Sequence, residues 1–381
     1  MRIAVIGGGP GGLYFAYLWK TRNPESQVDL FEQNAAGATW GFGVVFSDEA
    51  LDFLRADDAA TVEALAPLME SWKNITLSLR GEKVEIDGVG FSAIGRLDLL
   101  KVLQTRAHEA GVTAHYDMAV QSIDQFADYD LIVAADGLNS LVRRSFEGDF
   151  GTSLSYSSNK FAWYGTSKRF DTLSQTFVAT ERGAFNAHHY RYSPTMSTFL
   201  VECDRATWQA YGFAYKSVDE SRAICEDVFA EALGERLLIS NRSVWRNFPW
   251  IWNEHWSHKN MVLIGDALHS AHFSIGSGTR LAIEDAMALV KALEAEAHVT
   301  TALARYEAER KPVVKKLVTA ARTSADWYEH FAEHMKLDLM EFAHSYITRS
   351  GRIDDTRLKT MAPNFMARYE AEKNGVQPHE S

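Results

Sequence analysis

The chain has 381 residues, 46% hydrophobic and 23% charged, with a formal net charge of −11 at pH 7. Its 21 Phe, 14 Tyr and 10 Trp exclude a disordered chain, and its length exceeds the roughly 250–300 residues that one hydrophobic core fills, so two lobes are expected. The acidic balance, without a basic stripe, excludes a general nucleic-acid binder, and no apolar stretch reaches the roughly 18 residues that a membrane span needs.

The first elements read strand (Ile3 to Ile6), glycine turn (Gly7 to Gly12), helix (Leu13 to about Arg22) and strand (Val28 to Glu32), half of a βαβ unit. The glycine run also breaks any reading of the apolar start as a secretory signal. A helix is expected at Ser47 to Arg55 with Ser47 as its N-cap. Another is expected at Arg96 to Ala110, with Leu97, Leu100, Leu103 and Ala107 on one face. Tyr129 to Ala134 is a buried strand entering a turn at Asp136-Gly137. From about Asn159 to Phe248 the texture changes to short runs rich in Tyr, Phe, Thr and Trp, which predicts an inserted antiparallel sheet with one helix near Glu220 to Leu233. Cys203 and Cys225 in this stretch make neither a disulfide framework nor metal-ligand spacing, so no metal is expected and a cytoplasmic location is. The α/β texture returns at Asn260 to Ile264, long helical periodicity follows Ala282, and about Lys373 to Ser381 reads as a polar tail. The fold class expected is α/β: a discontinuous Rossmann-like domain, an inserted antiparallel-sheet substrate domain, and C-terminal helices.

Three motifs carry chemistry. In Gly7-x-Gly9-x-x-Gly12 the first glycine permits a tight turn, the second lets backbone approach a pyrophosphate, and the third packs helix on strand. Glu32, twenty residues after Gly12 at the end of the next strand, is placed to accept hydrogen bonds from a ribose diol, which favours an adenosine of FAD or NAD type. The second motif is Asp136-Gly137-x-x-Ser140-x-x-Arg143. The third is Gly265-Asp266-Ala267-x-His269, running through Gly276-x-Gly278 to Ala282 and Asp285-Ala286. Either of these alone is also an ordinary turn or cap.

In this order the three motifs resemble the fingerprints of the single-component (group A) FAD-dependent aromatic monooxygenases, which share the para-hydroxybenzoate hydroxylase-like fold. The resemblance implies that Gly7, Gly9, Pro10, Gly11, Gly12, Glu32 and Gln33 hold the FAD adenosine diphosphate. It implies that Asp136 serves FAD and NAD(P)H, that Asp266 with Gly265, Ile275, Gly276 and Gly278 holds the ribityl and pyrophosphate end, and that Arg96 touches FAD. Phe273 and Arg280 stand where the family usually has Pro and Asn. The segments Trp40 to Val45, Trp163 to Thr166, Thr195 to Phe199 and His272 to Gly276 are similar to the branch that includes salicyloyl-CoA 5-hydroxylase, the monooxygenase half of anthraniloyl-CoA monooxygenase and the violacein-pathway tryptophan hydroxylase, and the C-terminal run Ser345 to Arg352 with Pro363 to Phe365 and Tyr369-Glu370 resembles the CoA-thioester members more than the tryptophan enzyme.

The expected layout is an FAD domain of 1–70, 94–155 and 258–320, a substrate sheet of 71–93 and 156–257, and a helical region of 321–381. The chemistry implied is hydroxylation of an electron-rich ring through a flavin C4a-hydroperoxide, with NADH or NADPH and O2 as co-substrates. No protein nucleophile is required, only a dry pocket and a group that polarises the ring substituent. Pocket candidates are Trp40, Phe42, Trp163, Tyr164, His188, Tyr190 and Phe199, with His272 as the catalytic candidate and core packing as the alternative for each aromatic. The substrate expected is an aryl-CoA thioester of the salicyloyl type, giving a gentisyl product. A free aromatic such as tryptophan or another indole, and a non-catalytic flavin-binding sensor, are the alternatives. Arg310, Lys311, Lys315 and Lys316, or Arg349, Arg352 and Arg357, are the clusters that can meet CoA phosphates, or are solvated helix faces. The oligomeric state is left open.

Overall fold

A computed structural model of the chain describes residues 1–374; most of the expected polar tail, 375–381, lies outside the described residues. The first sheet has six strands in the order Ser257–His258, Met261–Leu263, Leu131–Ala134, Arg2–Ile6, Gln27–Phe31 and Thr113–His115. All its pairings are parallel except the Ser257–His258 edge. Ile3, Ala4 and Val5 are wholly buried, as both-face burial in a parallel sheet demands. Helix Pro10–Arg22 packs against helices Arg96–Ala110 and Gly278–Ala295.

Several boundaries follow local chemistry more closely than periodicity. The first helix starts at Pro10, because proline at the first helical position needs no amide partner. Ser47 caps helix Asp48–Asp57, its Oγ accepting from the Ala50 amide at 3.3 Å. Helix Arg96–Ala110 ends at Gly111 (φ 92°) and buries Leu99 with Leu100, Leu103 and Ala107, so Leu99 takes the place expected of Leu97. The helix expected at Glu220 begins at Val218, because Ser217 and Glu220 form a capping box, and it is continued after a break at Phe229 by Ala230–Leu233.

The second sheet runs in the order Leu238–Ser240, Thr152–Thr166, Ser197–Cys203, Gly183–Arg191, Leu173–Thr180, Ile75–Leu79 and Glu82–Ile86, with Arg246–Asn253 also paired to Thr152–Thr166. It is not purely antiparallel as expected. Leu173–Thr180 pairs parallel with Ile75–Leu79, because the Ile75–Ile86 hairpin comes from an earlier part of the chain and joins the sheet edge by a crossover rather than a turn. A separate small sheet of three strands has the order Gly43–Ser47, Phe91–Gly95 and Glu70–Trp72. Helix Val299–Glu329 and helices Leu339–Thr348, Asp355–Met361 and Pro363–Lys373 follow. Trp327, Tyr328, Phe342, Tyr346 and Phe365 bury themselves against Ile75, Leu77 and Phe177 of the second sheet. Among the described residues no helix is long and apolar enough to cross a membrane, and no His, Cys, Asp and Glu group could hold a metal ion.

Candidate functional site

The sheet register brings the three motifs together. Ile6 and Leu263 both lie beside Ala134, so the strands leading into the Gly7, Asp136 and Gly265 turns end in line at the carboxyl edge of a parallel sheet, where such folds bind ligands. Gly7 has φ 107°, and a Cβ there would fall 2.2 Å from the Ala135 carbonyl oxygen; a Cβ on Gly12 would fall 2.1 Å from the Gly7 oxygen. These two glycines are therefore fixed by packing. Gly11 lies against Ala282. Gly9 differs: among the described residues nothing lies within 4 Å of its Cβ position, no side chain caps the helix there, and no acid occupies the first turn. Helix Pro10–Arg22 thus starts uncapped, with the positive end of its dipole beside the open space at Gly9, a cradle for an anion. Glu32 closes the turn from the side, its Oε2 accepting from the Gly8 amide at 2.7 Å and its Oε1 from the Asn34 amide at 2.8 Å. Gln33 beside it is exposed.

Asp136 accepts from the Leu141 amide through Oδ2 at 2.6 Å, while its Oδ1 is buried without a partner among the described residues. Burial pushes this carboxyl above its ordinary range, against the pull of the Ser140 hydroxyl and backbone amides. Arg143 donates to the Ala267 carbonyl at 2.9 Å, tying the second motif to the third. Asp266 is exposed beside this turn. The protein crowded around it raises its carboxyl, with His269 and Arg96 pulling the other way. Arg96 opens helix Arg96–Ala110; its amide donates to Phe42 O at 2.8 Å and its Nε to Thr39 Oγ1 at 3.0 Å. An unpartnered buried acid oxygen, an open helix N-terminus and an arginine placed near Asp266 fit a dinucleotide with an anionic centre and a polar chain.

The loop after the third motif turns the chain toward the second sheet. His272, Phe273, Ser274 and Ile275 form a single turn ended by Gly276 (φ 60°), and Gly278 opens the next helix with free space at its Cβ position. His272 is buried between Trp250 and Phe248, with ring centroids 6.0 and 4.8 Å away. Burial pushes its imidazolium down to about 4, opposed by Glu202. Trp250 thus stacks on the site loop. Phe273 meets Phe161 at 4.9 Å and His188 at 5.3 Å, so this departure from the family pattern sits at the contact between loop and sheet. His269 is bonded to Asp285 at 2.8 Å and faces away from the loop's aromatic contacts with the sheet.

Strand alternation divides the pocket candidates. Trp163, His188 and Tyr190 share the face toward the loop, and the Tyr190 hydroxyl donates to Gly43 O at 2.8 Å. Tyr164 and Phe199 are corrections. They point to the opposite face, into a core with Phe185, Phe213, Cys225 and Phe229, because successive strand residues alternate sides. Phe42 lies on Gly165, where a Cβ would fall 2.4 Å from its ring, and Trp163 lies on Gly41 in the same way. Trp40 is exposed, with the Arg242 guanidinium 3.5 Å over its ring. The sequence does not single out Glu202, Gln175 or Tyr328, and it places Arg349 in a basic cluster rather than at this loop. Only Glu202 left a signal, a lone acid in the apolar run Phe199 to Cys203.

The two basic clusters are corrected as well. Arg310 is buried and paired with Glu284 and Asp285, both at 2.9 Å, and Lys311 is paired with Glu307 at 2.9 Å, which leaves Lys315 and Lys316 as the exposed members. Arg349 turns inward, donating to Ser274 O at 2.8 Å and Ser324 Oγ at 3.1 Å, whereas Arg357 pairs with Glu49 at 3.0 Å. Helix periodicity separates residues that a linear cluster groups together.

Residues 96–321 match the family model described as FAD binding domain. The chain is 40% identical to a salicyloyl-CoA 5-hydroxylase of a Streptomyces species over 361 residues, covering 92% of this chain and 70% of that protein. It is 35% identical to 3-hydroxy-4-methyl-anthranilyl-[aryl-carrier protein] 5-monooxygenase of Streptosporangium sibiricum, covering 94% and 97% of the two chains. Among solved structures, 2-methyl-3-hydroxypyridine-5-carboxylic acid oxygenase superposes with a TM-score of 0.72 at 17% identity over 97% of this chain and 98% of that one.

Proposed function

The chain belongs to the FAD binding domain family and is an FAD-dependent aromatic monooxygenase, and from that premise we propose that it hydroxylates an aryl ring carried as a coenzyme A thioester. The observation that carries the proposal is that two relatives, at 40% and 35% identity, bear names specifying hydroxylation of an aryl group held as a CoA or carrier-protein derivative. The overall reaction joins one atom of O2 to a ring carbon and reduces the other to water, with NAD(P)H as the two-electron donor. Bound FAD would supply the uptake of those electrons and the activation of O2.

The protein's own residues would divide the remaining work. The amides after Gly9 hold the pyrophosphate, Glu32 the adenosine ribose, Asp266 and Arg96 the polar chain, and Gly276 and Gly278 give the ring its close backbone approach. Trp163, His188, Tyr190, Phe273 and His272 form the aromatic walls. Their burial keeps water from the reacting centre, which protects a short-lived oxidant. The first sheet is then the FAD domain, and the second, with its C-terminal helical cover, the substrate domain.

The test is substrate-stimulated NADH and NADPH oxidation by the FAD-loaded protein, given salicyloyl-CoA, free salicylate and free tryptophan, with product identified by mass. Stimulation and one added oxygen with the thioester alone are expected. Coupled product from the free acid or the indole alone would overturn the thioester assignment.

A further inference from the structure

The sheet face that meets the site loop carries one acid that no motif uses. Glu202, in strand Ser197–Cys203, is only 1% exposed. Its Oε1 accepts from Asn159 Nδ2 at 2.9 Å, and its Oε2 is buried with no hydrogen-bond partner among the described residues. Across a gap of 3.6 Å stands His188 Nε2, also unpartnered among them. The tautomer of His188 follows from its neighbours. The Tyr328 hydroxyl donates to Gln175 Oε1 at 3.2 Å, which turns the Gln175 amide nitrogen toward His188 Nδ1 at 2.8 Å. An amide nitrogen only donates, so Nδ1 accepts and the ring proton sits on Nε2, aimed at Glu202.

A buried carboxylate oxygen whose nearest ring N–H stands 3.6 Å away, beyond hydrogen-bond reach, costs free energy that a protein does not ordinarily leave uncompensated. A ring hydroxyl entering the aromatic pocket is a donor of the right kind. We propose that Glu202 is a catalytic residue that accepts the proton of the substrate's ring hydroxyl, with His188 as the positioning residue that fixes its orientation. This inference rests on the aromatic-hydroxylase reading of the pocket. In the step, the ring O–H bond breaks with its electron pair left on oxygen and an O–H bond forms at Oε2. The carboxylate's charge thereby passes to the ring oxygen and enriches the ortho and para carbons. Once the ring is hydroxylated the proton returns from Oε2 to the ring oxygen, which regenerates Glu202.

The charged and titratable groups facing Glu202 come from every packed element: His188 on its neighbouring strand, His272 on the loop, Tyr328 and Glu329 on helix Val299–Glu329, and Arg349 beyond helix Leu339–Thr348. Burial raises the Glu202 carboxyl, while His272, Asn159 and the Asn186 amide, opposite Glu202 on the neighbouring strand, draw it back. Both His188 and His272 stay neutral, pushed down by burial to about 3 and about 4, so neither imidazole competes as an acid.

The experiment uses the FAD-loaded enzyme with salicyloyl-CoA as probe, following ring ionisation by absorbance from about pH 6 to 9. In the wild type, the bound ring should ionise at least about one pH unit below the free thioester. In Glu202→Gln, binding should weaken less than about threefold, ionisation should return to the free value, and kcat should fall about 100-fold with KM little changed. Glu202→Asp should recover part of the rate. An unchanged ionisation midpoint and a kcat within about threefold in Glu202→Gln would overturn the proposal. Infrared difference spectra of the ligand-free holoenzyme on acidification give an arm free of the probe: conversion of a carboxylate band into a protonated-carboxyl band that is missing in Glu202→Gln supports the proton site, and no such conversion in the wild type overturns it. That band together with no binding of salicyloyl-CoA would overturn the thioester reading alone and sustain the proton site.

Discussion

Asp285 Oδ2 accepts a hydrogen bond from the Gly265 backbone amide at 3.0 Å and lies 2.8 Å from His269 Nε2, while its Oδ1 accepts from Arg310 Nε at 2.9 Å. The acid that ends the third motif therefore holds the Gly265-Asp266 turn from behind, and the exposed Asp266 owes its place to a wholly buried residue. Burial alone would raise the Asp285 carboxyl, but His269 and Arg310 override it and hold it below its ordinary range. A depressed acid contributes its stability in full above its unfolded value of about 4 and loses it as pH falls through the folded value. Asp285→Asn should cost about 3 kcal/mol in urea unfolding at pH 7, because Arg310 keeps only Glu284 as a buried partner. The variant should lose FAD in proportion and show a smaller stability loss than the wild type on acidification below about pH 4.

The glycines of the first motif do two jobs that a pair of alanine variants separates. A Cβ on Gly12 would collide with the Gly7 carbonyl, and one on Gly9 would meet open space. Gly12→Ala should therefore destabilise the apo-protein by about 2 kcal/mol or more through forced backbone shifts. Gly9 has an ordinary φ of −74°, so Gly9→Ala should leave apo stability within about 0.5 kcal/mol and weaken FAD binding about tenfold or more by blocking close approach to the pyrophosphate. Thermal melts with and without added FAD read both quantities. Equal effects of the two variants on the apo-protein would show that Gly9 is also a packing residue.

Tyr164 and His188 lie on opposite faces of the second sheet, and their variants should differ accordingly. The Tyr164 hydroxyl is buried with no hydrogen-bond partner among the described residues, and burial raises it far above the ordinary phenol range. Tyr164→Phe should change stability by less than about 1 kcal/mol and leave kcat and KM unchanged. A loss of activity at full stability would place the Tyr164 face in the substrate path.

Much of the backbone of the Gly7, Asp136 and Gly265 turns was legible because its signals are local. A strand followed by glycines and a helix fixes the backbone by sterics, and Gly7, Gly12, Gly265 and Gly276 show this in positive φ or in Cβ clashes. The ring end was less legible because it is assembled across the chain. Whether Tyr164 or Trp163 faces the site depends on strand register, which an aromatic-rich run without clear polar alternation leaves open. Glu202 meets His188 by pairing of strands, and His272 by the packing of a loop more than sixty residues downstream. Arg310 and Arg349 looked like surface charge, yet the carboxylates and carbonyls that bury them come from other helices and loops. The parallel pairing of Ile75–Leu79 with Leu173–Thr180 was hidden for the same reason: nothing within either segment records its partner.

Three buried imidazoles give the fold a pH dependence of determined sign. Burial pushes His188 and His189 down to about 3 and His272 to about 4. Below an unfolded value of about 6.5 the unfolded chain takes up protons at these positions and the folded chain does not. Their contribution is therefore complete above about pH 6.5 and falls with pH until the folded values are reached, by up to about 1.4 kcal/mol per pH unit for each ring. Glu202 and Asp266 act with the opposite sign, since their raised carboxyls hold protons in the folded state above about pH 4 that the unfolded chain has already released. His189 isolates the effect, because it lies on the core side, stacked on Phe199 at 5.1 Å and bonded to Thr176 at 2.8 Å, away from the site loop. Urea unfolding between about pH 7.5 and 5.5 should show stability in His189→Gln falling less steeply than in the wild type, by up to about 1 kcal/mol per pH unit. Parallel curves for the two proteins would mean that this imidazole takes up its proton equally in both states and that its burial carries no linkage.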